Sequence, residues 1–132
     1  MRHSARSPNH DHATLGPKLA EVTNAVVGLH RSHYGKGPTR SKSYLIDDVL
    51  ICVMRDVFTT VERTLAEAGE WDKVRDTRLA FQDAMRDRFT EAVERILERR
   101  VVGFTSQVLL DQDVAIEVFV LEPVSDPRRG AA

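Results

Sequence analysis

An α+β fold is predicted by three features of the sequence: a helical apolar period near the start, two short apolar strand pairs interrupted by aspartates, and a long helical stretch between those pairs. The order helix, β-hairpin, one or two helices, β-hairpin most simply makes a four-stranded antiparallel sheet with helices on one face. The chain has 132 residues, with 19 Lys plus Arg against 20 Asp plus Glu and a formal net charge of −1. A balance this close to zero predicts no general field for nucleic acid. At 42% hydrophobic and 30% charged residues the chain can bury a core, unlike a disordered protein. No window approaches the roughly 18 uninterrupted apolar residues of a membrane helix, and the start, Met1 to Arg6, leads into Pro8 and Asn9 rather than an apolar signal core. The expected location is the cytoplasm, without direct membrane insertion. A single cysteine, Cys52, excludes an intrachain disulfide framework and a multi-Cys metal site.

Residues 1 to 16 mix Arg, Ser, Pro and Asn with His3, His10 and His12 and predict a disordered tail; 124 to 132 predict a second, leaving one domain over 17 to 123. The first helix should open at Pro17, a residue favoured at the first helical position, and carry Leu19, Val22, Val26, Leu29 and His33 on one face. It should stop at Gly35, before Gly37 and Pro38. Ser43 to Ile46 and Val49 to Met54 then read as strands joined by Asp47 and Asp48, the second apolar on both faces and so central in its sheet.

Thr59 and Glu62 have the spacing of a capping box, and the helix they open should end near Gly69. On that basis alone, Glu62→Ala should cost about 1 kcal/mol. A further helix should run from about Glu70 to Arg99, with Trp71, Val74, Phe81, Met85, Phe89, Ala92, Val93 and Ile96 inside. Roughly 43 Å at about 1.5 Å per residue exceeds what a small domain needs, which predicts either a break near Thr77 or a projecting end. Val101 to Leu110 and Val114 to Leu121 form the second strand pair, ended by Pro123; on its last strand Ala115, Glu117, Phe119 and Leu121 share a face.

The strongest local anomaly is chemical. From Val22 to Ile46 the chain holds Arg31, Lys36, Arg40 and Lys42 and no Asp or Glu. Around Gly35-Lys36-Gly37-Pro38-Thr39, glycines let backbone approach a ligand while the cations supply charge for a phosphate or carboxylate. Equally, basic residues at a helix C-terminus complement its partial negative charge. A P-loop is excluded, because that motif precedes a helix N-terminus and this loop follows a C-terminus. His30 and His33 lack a third metal ligand in sequence, Cys52 sits in an apolar strand, and the aspartates of the two turns suit turns as such. No catalytic constellation, metal site or cofactor is read.

Leu29-His30-Arg31 leading to Tyr34-Gly35-Lys36-Gly37-Pro38-Thr39, then Leu45-Ile46-Asp47-Asp48, Thr60-Val61-Glu62, Phe81-Gln82-Asp83-Ala84-Met85 and Val118-Phe119-Val120-Leu121, resemble one bacterial family, the MpsC-type domain of a Na+-translocating membrane potential-generating system. The likeness covers about Leu19 to Pro123, with Gly35, Lys36, Gly37, Pro38, Asp47 and Asp48 as its signature positions. It implies a noncatalytic accessory or regulatory domain with a membrane transport protein as partner. A homodimer through the long helix or a sheet edge is expected, with Arg31, Lys36, Arg40 and Lys42 as one exposed contact surface. The alternative is a binding module for a small anion or nucleotide at the Gly35 to Lys42 loop.

Overall fold

The computed structural model describes residues 8–124, with side chains from residue 15 onward. Its elements are α1 (Pro8–Tyr34), β1 (Arg40–Ile46), β2 (Val49–Arg55), α2 (Thr60–Glu67), α3 (Trp71–Leu97), β3 (Val101–Leu109) and β4 (Val114–Leu121). The sheet is antiparallel throughout, in the order β1-β2-β4-β3, so the α+β expectation holds and β2 is central. Residues 1–7 of the first predicted tail and 125–132 of the second lie outside the described residues, while 8–16 of the first fall in α1.

Two sequence expectations about the helices need correction. The first helix begins at Pro8, and Pro17 lies inside it. The rule that favours proline at a first helical position is met by Pro8; Pro17 forfeits one i to i−4 hydrogen bond and is carried by the turns on either side. The second correction concerns α3, which is unbroken at Thr77 over its 27 residues. It contains neither Gly nor Pro, and α1, also 27 residues long, packs along it.

Between the helices and the sheet lies one core. Leu50, Cys52 and Met54 of β2 and Ala115, Phe119 and Leu121 of β4 meet Val22 and Val26 of α1 and Val74, Met85, Phe89, Val93 and Ile96 of α3. The buried stripe of α1 continues to His30, whereas Leu29 is half-buried and His33 is exposed. The turns use the left-handed region where the chain reverses. Gly35 has φ 74° just past α1, as predicted, Asp47 has φ 53° in the first hairpin and Asp113 has φ 54° in the second. Thr59 and Glu62 form the predicted capping box: the Glu62 N–H donates to Thr59 Oγ1 at 3.2 Å and the Thr59 N–H to Glu62 Oε1 at 2.9 Å.

Candidate functional site

The loop that leaves α1 is fastened to the segment between β2 and α2. Lys36 Nζ donates to the backbone carbonyls of Asp56 at 2.5 Å and Phe58 at 3.2 Å, and the Thr39 hydroxyl donates to the Asp56 carboxylate. From the other side, Asp113 Oδ1 accepts from the N–H groups of Val57 at 2.8 Å and Phe58 at 3.0 Å. A loop crossed by so few backbone ladders satisfies its polar groups through these side chains. The exposed Arg31 guanidinium lies over Gly37, 2.8 Å from where a Cβ would stand, and as the end of a flexible side chain it can swing away from one.

The four predicted contact cations therefore divide. Lys36 is half-buried and turned inward, and Arg31 lies over Gly37. Arg40 and Lys42 are exposed on β1, where Arg55 of β2 joins them: Arg40 pairs with Arg55 across the ladder. With Thr39, Ser41, Tyr44 and Val53 these three line an open groove of about 580 Å³. Lys36→Met is expected to lower stability by about 1.5–3 kcal/mol, the range for hydrogen bonds made by a charged group. Arg40→Ala should stay within about 0.5 kcal/mol, as surface substitutions do. Urea melts of the two variants test this, and equal, small shifts would remove the fastening role of Lys36.

Directly beneath the loop, charge has entered the core. Arg78 of α3 is 1% exposed. Its Nε donates to Glu62 Oε2 and its Nη2 to Glu62 Oε1, both at 2.6 Å, while Nη2 also donates to the Val57 carbonyl at 2.9 Å. Tyr34 lies over the guanidinium, 3.9 Å from ring centroid to Cζ, and Phe58 covers it at 5.4 Å. Burial pushes the Glu62 carboxyl up, but the hydrogen bonds from Arg78 and Thr59 outweigh it and hold the group below the usual carboxylate range.

Next to this ion pair stands a second buried pair. Glu117 of β4 is fully buried and its Oε1 lies 3.6 Å from His30 Nε2. The His30 Nδ1 is 3.1 Å from the Val26 carbonyl, which fixes its proton there and leaves Nε2 as a lone pair facing the carboxyl. Phe89 stacks on the imidazole at 5.2 Å. Burial pushes Glu117 up to about 7, opposed by the Ser106 hydroxyl across the ladder and by Arg78. Burial pushes His30 down to about 4, with the Val26 hydrogen bond acting the other way and Arg78 and His33 adding to the fall. Burial drives each group towards its neutral form, outweighing the Ser106 hydroxyl and the Arg78 charge that favour an ionised Glu117.

The chain matches, over residues 14–123, the family described as Na+-translocating membrane potential-generating system (MpsC). The chain belongs to the MpsC family. A relative of it is the uncharacterized protein YrhF of Bacillus subtilis (strain 168), 21% identical over 119 residues that cover 89% of this chain and 98% of that protein. No solved structure matches the chain.

In this MpsC-family chain several of the positions expected as signature residues make contacts that shape the fold. Gly35 ends α1, Lys36 fastens the loop, and Asp48 accepts from Arg99 Nη2 at 2.7 Å. The two aspartate turns do not converge. The first adjoins the end of β4, where the Leu121 N–H donates to the Asp48 carbonyl, and the second adjoins Asp56, at opposite ends of the sheet. Cys52 is buried beside Ser43, and burial pushes its thiol up to about 11, opposite to the shift a nucleophile needs. Among the described residues no three His, Cys, Asp or Glu side chains gather as a metal ion requires.

Sequence reasoning missed the Arg78 and Glu117 centres as a site, although their signals were present. Arg78 falls four residues after Val74 in the inner stripe of α3, and Glu117 alternates with Ala115 and Phe119 on the inward face of β4. Neither side chain lines the basic groove or the 690 Å³ groove between α1 and α3 at Gly28 and Ala92. Any reagent reaching them requires the core to open, so in the closed fold their chemistry is that of an internal charge device.

Proposed function

We propose that this domain is a noncatalytic cytoplasmic accessory subunit of a Na+-linked membrane transport system, working as a pair of chains and regulating a membrane transport protein by contact. The observation that carries the reading is the MpsC match, which takes in all but the first turns of α1 and the last described residue. Among the described residues no helix is long and apolar enough to cross a membrane, and in this reading the translocation path belongs to another protein. The burial of His30 and Glu117 supports a noncatalytic role, because these two strongly shifted groups face one another rather than a cleft. Deleting the gene in the source bacterium is expected to lower the Na+-dependent part of the membrane potential, and the wild-type gene on a plasmid should restore it. A potential with the same Na+ dependence in the deleted strain would overturn the accessory reading.

A further inference from the structure

We propose that the sheet face turned away from the helices is the surface on which two copies of this chain pair. The inference takes up the pairing proposed above and assigns it a surface, in place of the long helix or a sheet edge.

An antiparallel sheet with helices on one side normally alternates, apolar inward and polar outward. Here the two central strands do not. The outward side chains of β2 are Val49, Ile51 and Val53, and those of β4 are Ile116, Val118 and Val120. Tyr44 and Ile46 of β1 extend the face to one edge at 43% and 59% exposed, while β3 closes the other edge with Leu109, 43% exposed, beside Gly103, Thr105 and Gln107. All three described helices lie on the opposite side, and within the described residues nothing covers this face. Contiguous apolar surface of this kind on a water-soluble domain marks an interaction site.

The occupant follows from area, composition and charge. Four strands about 4.8 Å apart and seven residues of about 3.4 Å make a footprint of roughly 20 by 24 Å. With side-chain relief this compares with the roughly 600 Å² per partner at the lower end of specific, stable interfaces. The segments outside the described residues cannot supply a matching apolar layer: 1–7 and 125–132 contribute only Met1, Ala5, Ala131 and Ala132 beside polar residues, Pro127 and Gly130.

A second copy, by contrast, brings both an identical apolar face and a matching rim. Arg40, Lys42 and Arg55 stand at one corner, and exposed Asp47 and Asp111 stand at the other end of β1 and at the far edge beyond β3. Sheets that stack face to face run nearly aligned, about 10 Å apart. A two-fold axis along the strands puts the basic corner of each copy over the Asp111 turn of the other, and one across the strands puts it over the Asp47 turn. Either closes the pair isologously with unlike charges in contact.

Light scattering at high micromolar concentration tests the assignment. Wild type should scatter at twice the 14.9 kDa chain mass, and Ile51→Lys, with unchanged circular dichroism, at the single-chain mass. Two surface variants remain informative if Ile51→Lys fails to fold. Arg40→Glu with Lys42→Glu, and separately Asp47→Lys with Asp111→Lys, should each be monomeric alone and should pair when mixed. A wild-type monomer would overturn both the pairing and this surface, whether or not it cosediments with phosphatidylcholine vesicles. A folded Ile51→Lys that still scatters at twice the mass, or charge variants that remain dimeric unmixed, would overturn the surface while leaving the pairing in place.

Discussion

Glu62→Ala is expected to destabilise the domain by about 3–5 kcal/mol, the range for breaking a buried ion pair by removing one partner. The capping spacing alone gives about 1 kcal/mol. The difference is Arg78, which would keep its charge at 1% exposure with only the Val57 carbonyl and the faces of Tyr34 and Phe58 for company. Three companion variants separate the contributions. Thr59→Ala removes half of the cap and leaves the ion pair, so it should cost about 1 kcal/mol. Arg78→Met strands a carboxylate that is 8% exposed but still capped, and should fall between the two. Glu62→Leu with Arg78→Met removes both charges and should recover much of the Glu62→Ala loss, since apolar replacement of a whole buried pair is often neutral. Denaturant midpoints with unchanged slopes would measure all four. If the double variant were as unstable as the sum of the singles, the cost would come from shape and the buried charge would not be its source.

How far this site was legible depends on what each residue answers to. Thr59 and Glu62 interact three residues apart, and local hydrogen bonding decides their roles, so the cap could be read directly. The hairpins were legible for the same reason: alternation and turn residues are local. Arg78 answers to Glu62 across 16 residues of chain, and only the seating of α3 against α2 brings them together. Its position in the apolar stripe of α3 was the available signal. On α1 the apolar period agrees with the structure up to Val26 and then departs from it, because a step of three from Val26 to apolar Leu29 carries the period on to His33 and past His30. Three aromatic rings, Tyr34, Phe81 and Phe89, and the Glu117 carboxyl form the environment that accepts His30 instead. Lys36 was legible as a cation and illegible as a fastener, since the carbonyls it holds belong to a loop more than 20 positions away in one case and 20 in the other. The open apolar face was half visible: a strand apolar on both sides was read as central, which it is, but sequence alone does not say whether its second face has a cover.

The stability of the domain should be nearly flat between about pH 4.5 and 6.5, and replacing Glu117 should uncover a slope. Folding raises the Glu117 carboxyl from its ordinary 4.5 to about 7. Its proton is bound more tightly in the folded chain, so its contribution is full below about pH 4.5 and is lost as pH rises to about 7. Folding lowers His30 from 6.5 to about 4. That contribution is full above about pH 6.5 and is lost as pH falls towards 4. Each gap corresponds to about 3 kcal/mol, at about 1.4 kcal/mol per pH unit. Because the two groups face each other and move oppositely, one gains what the other loses as the pH changes. Glu117→Gln removes only the first contribution. At about pH 8 the variant should be more stable than wild type, since a neutral amide replaces a carboxylate that burial disfavours, and on acidification it should lose about 3 kcal/mol between pH 6.5 and 4. His30→Phe should show the mirror image, losing stability as pH rises from about 4.5 to 7. Arg78, which acts on both groups, and His33, Tyr34 and Cys52 nearby keep their positions in each variant, so the difference between profiles isolates the pair. Urea unfolding across this range gives the comparison. A wild-type profile that already falls steeply towards acid, and that Glu117→Gln leaves unchanged, would mean that Glu117 is ionised in the core and that the neutral assignment of the pair is wrong.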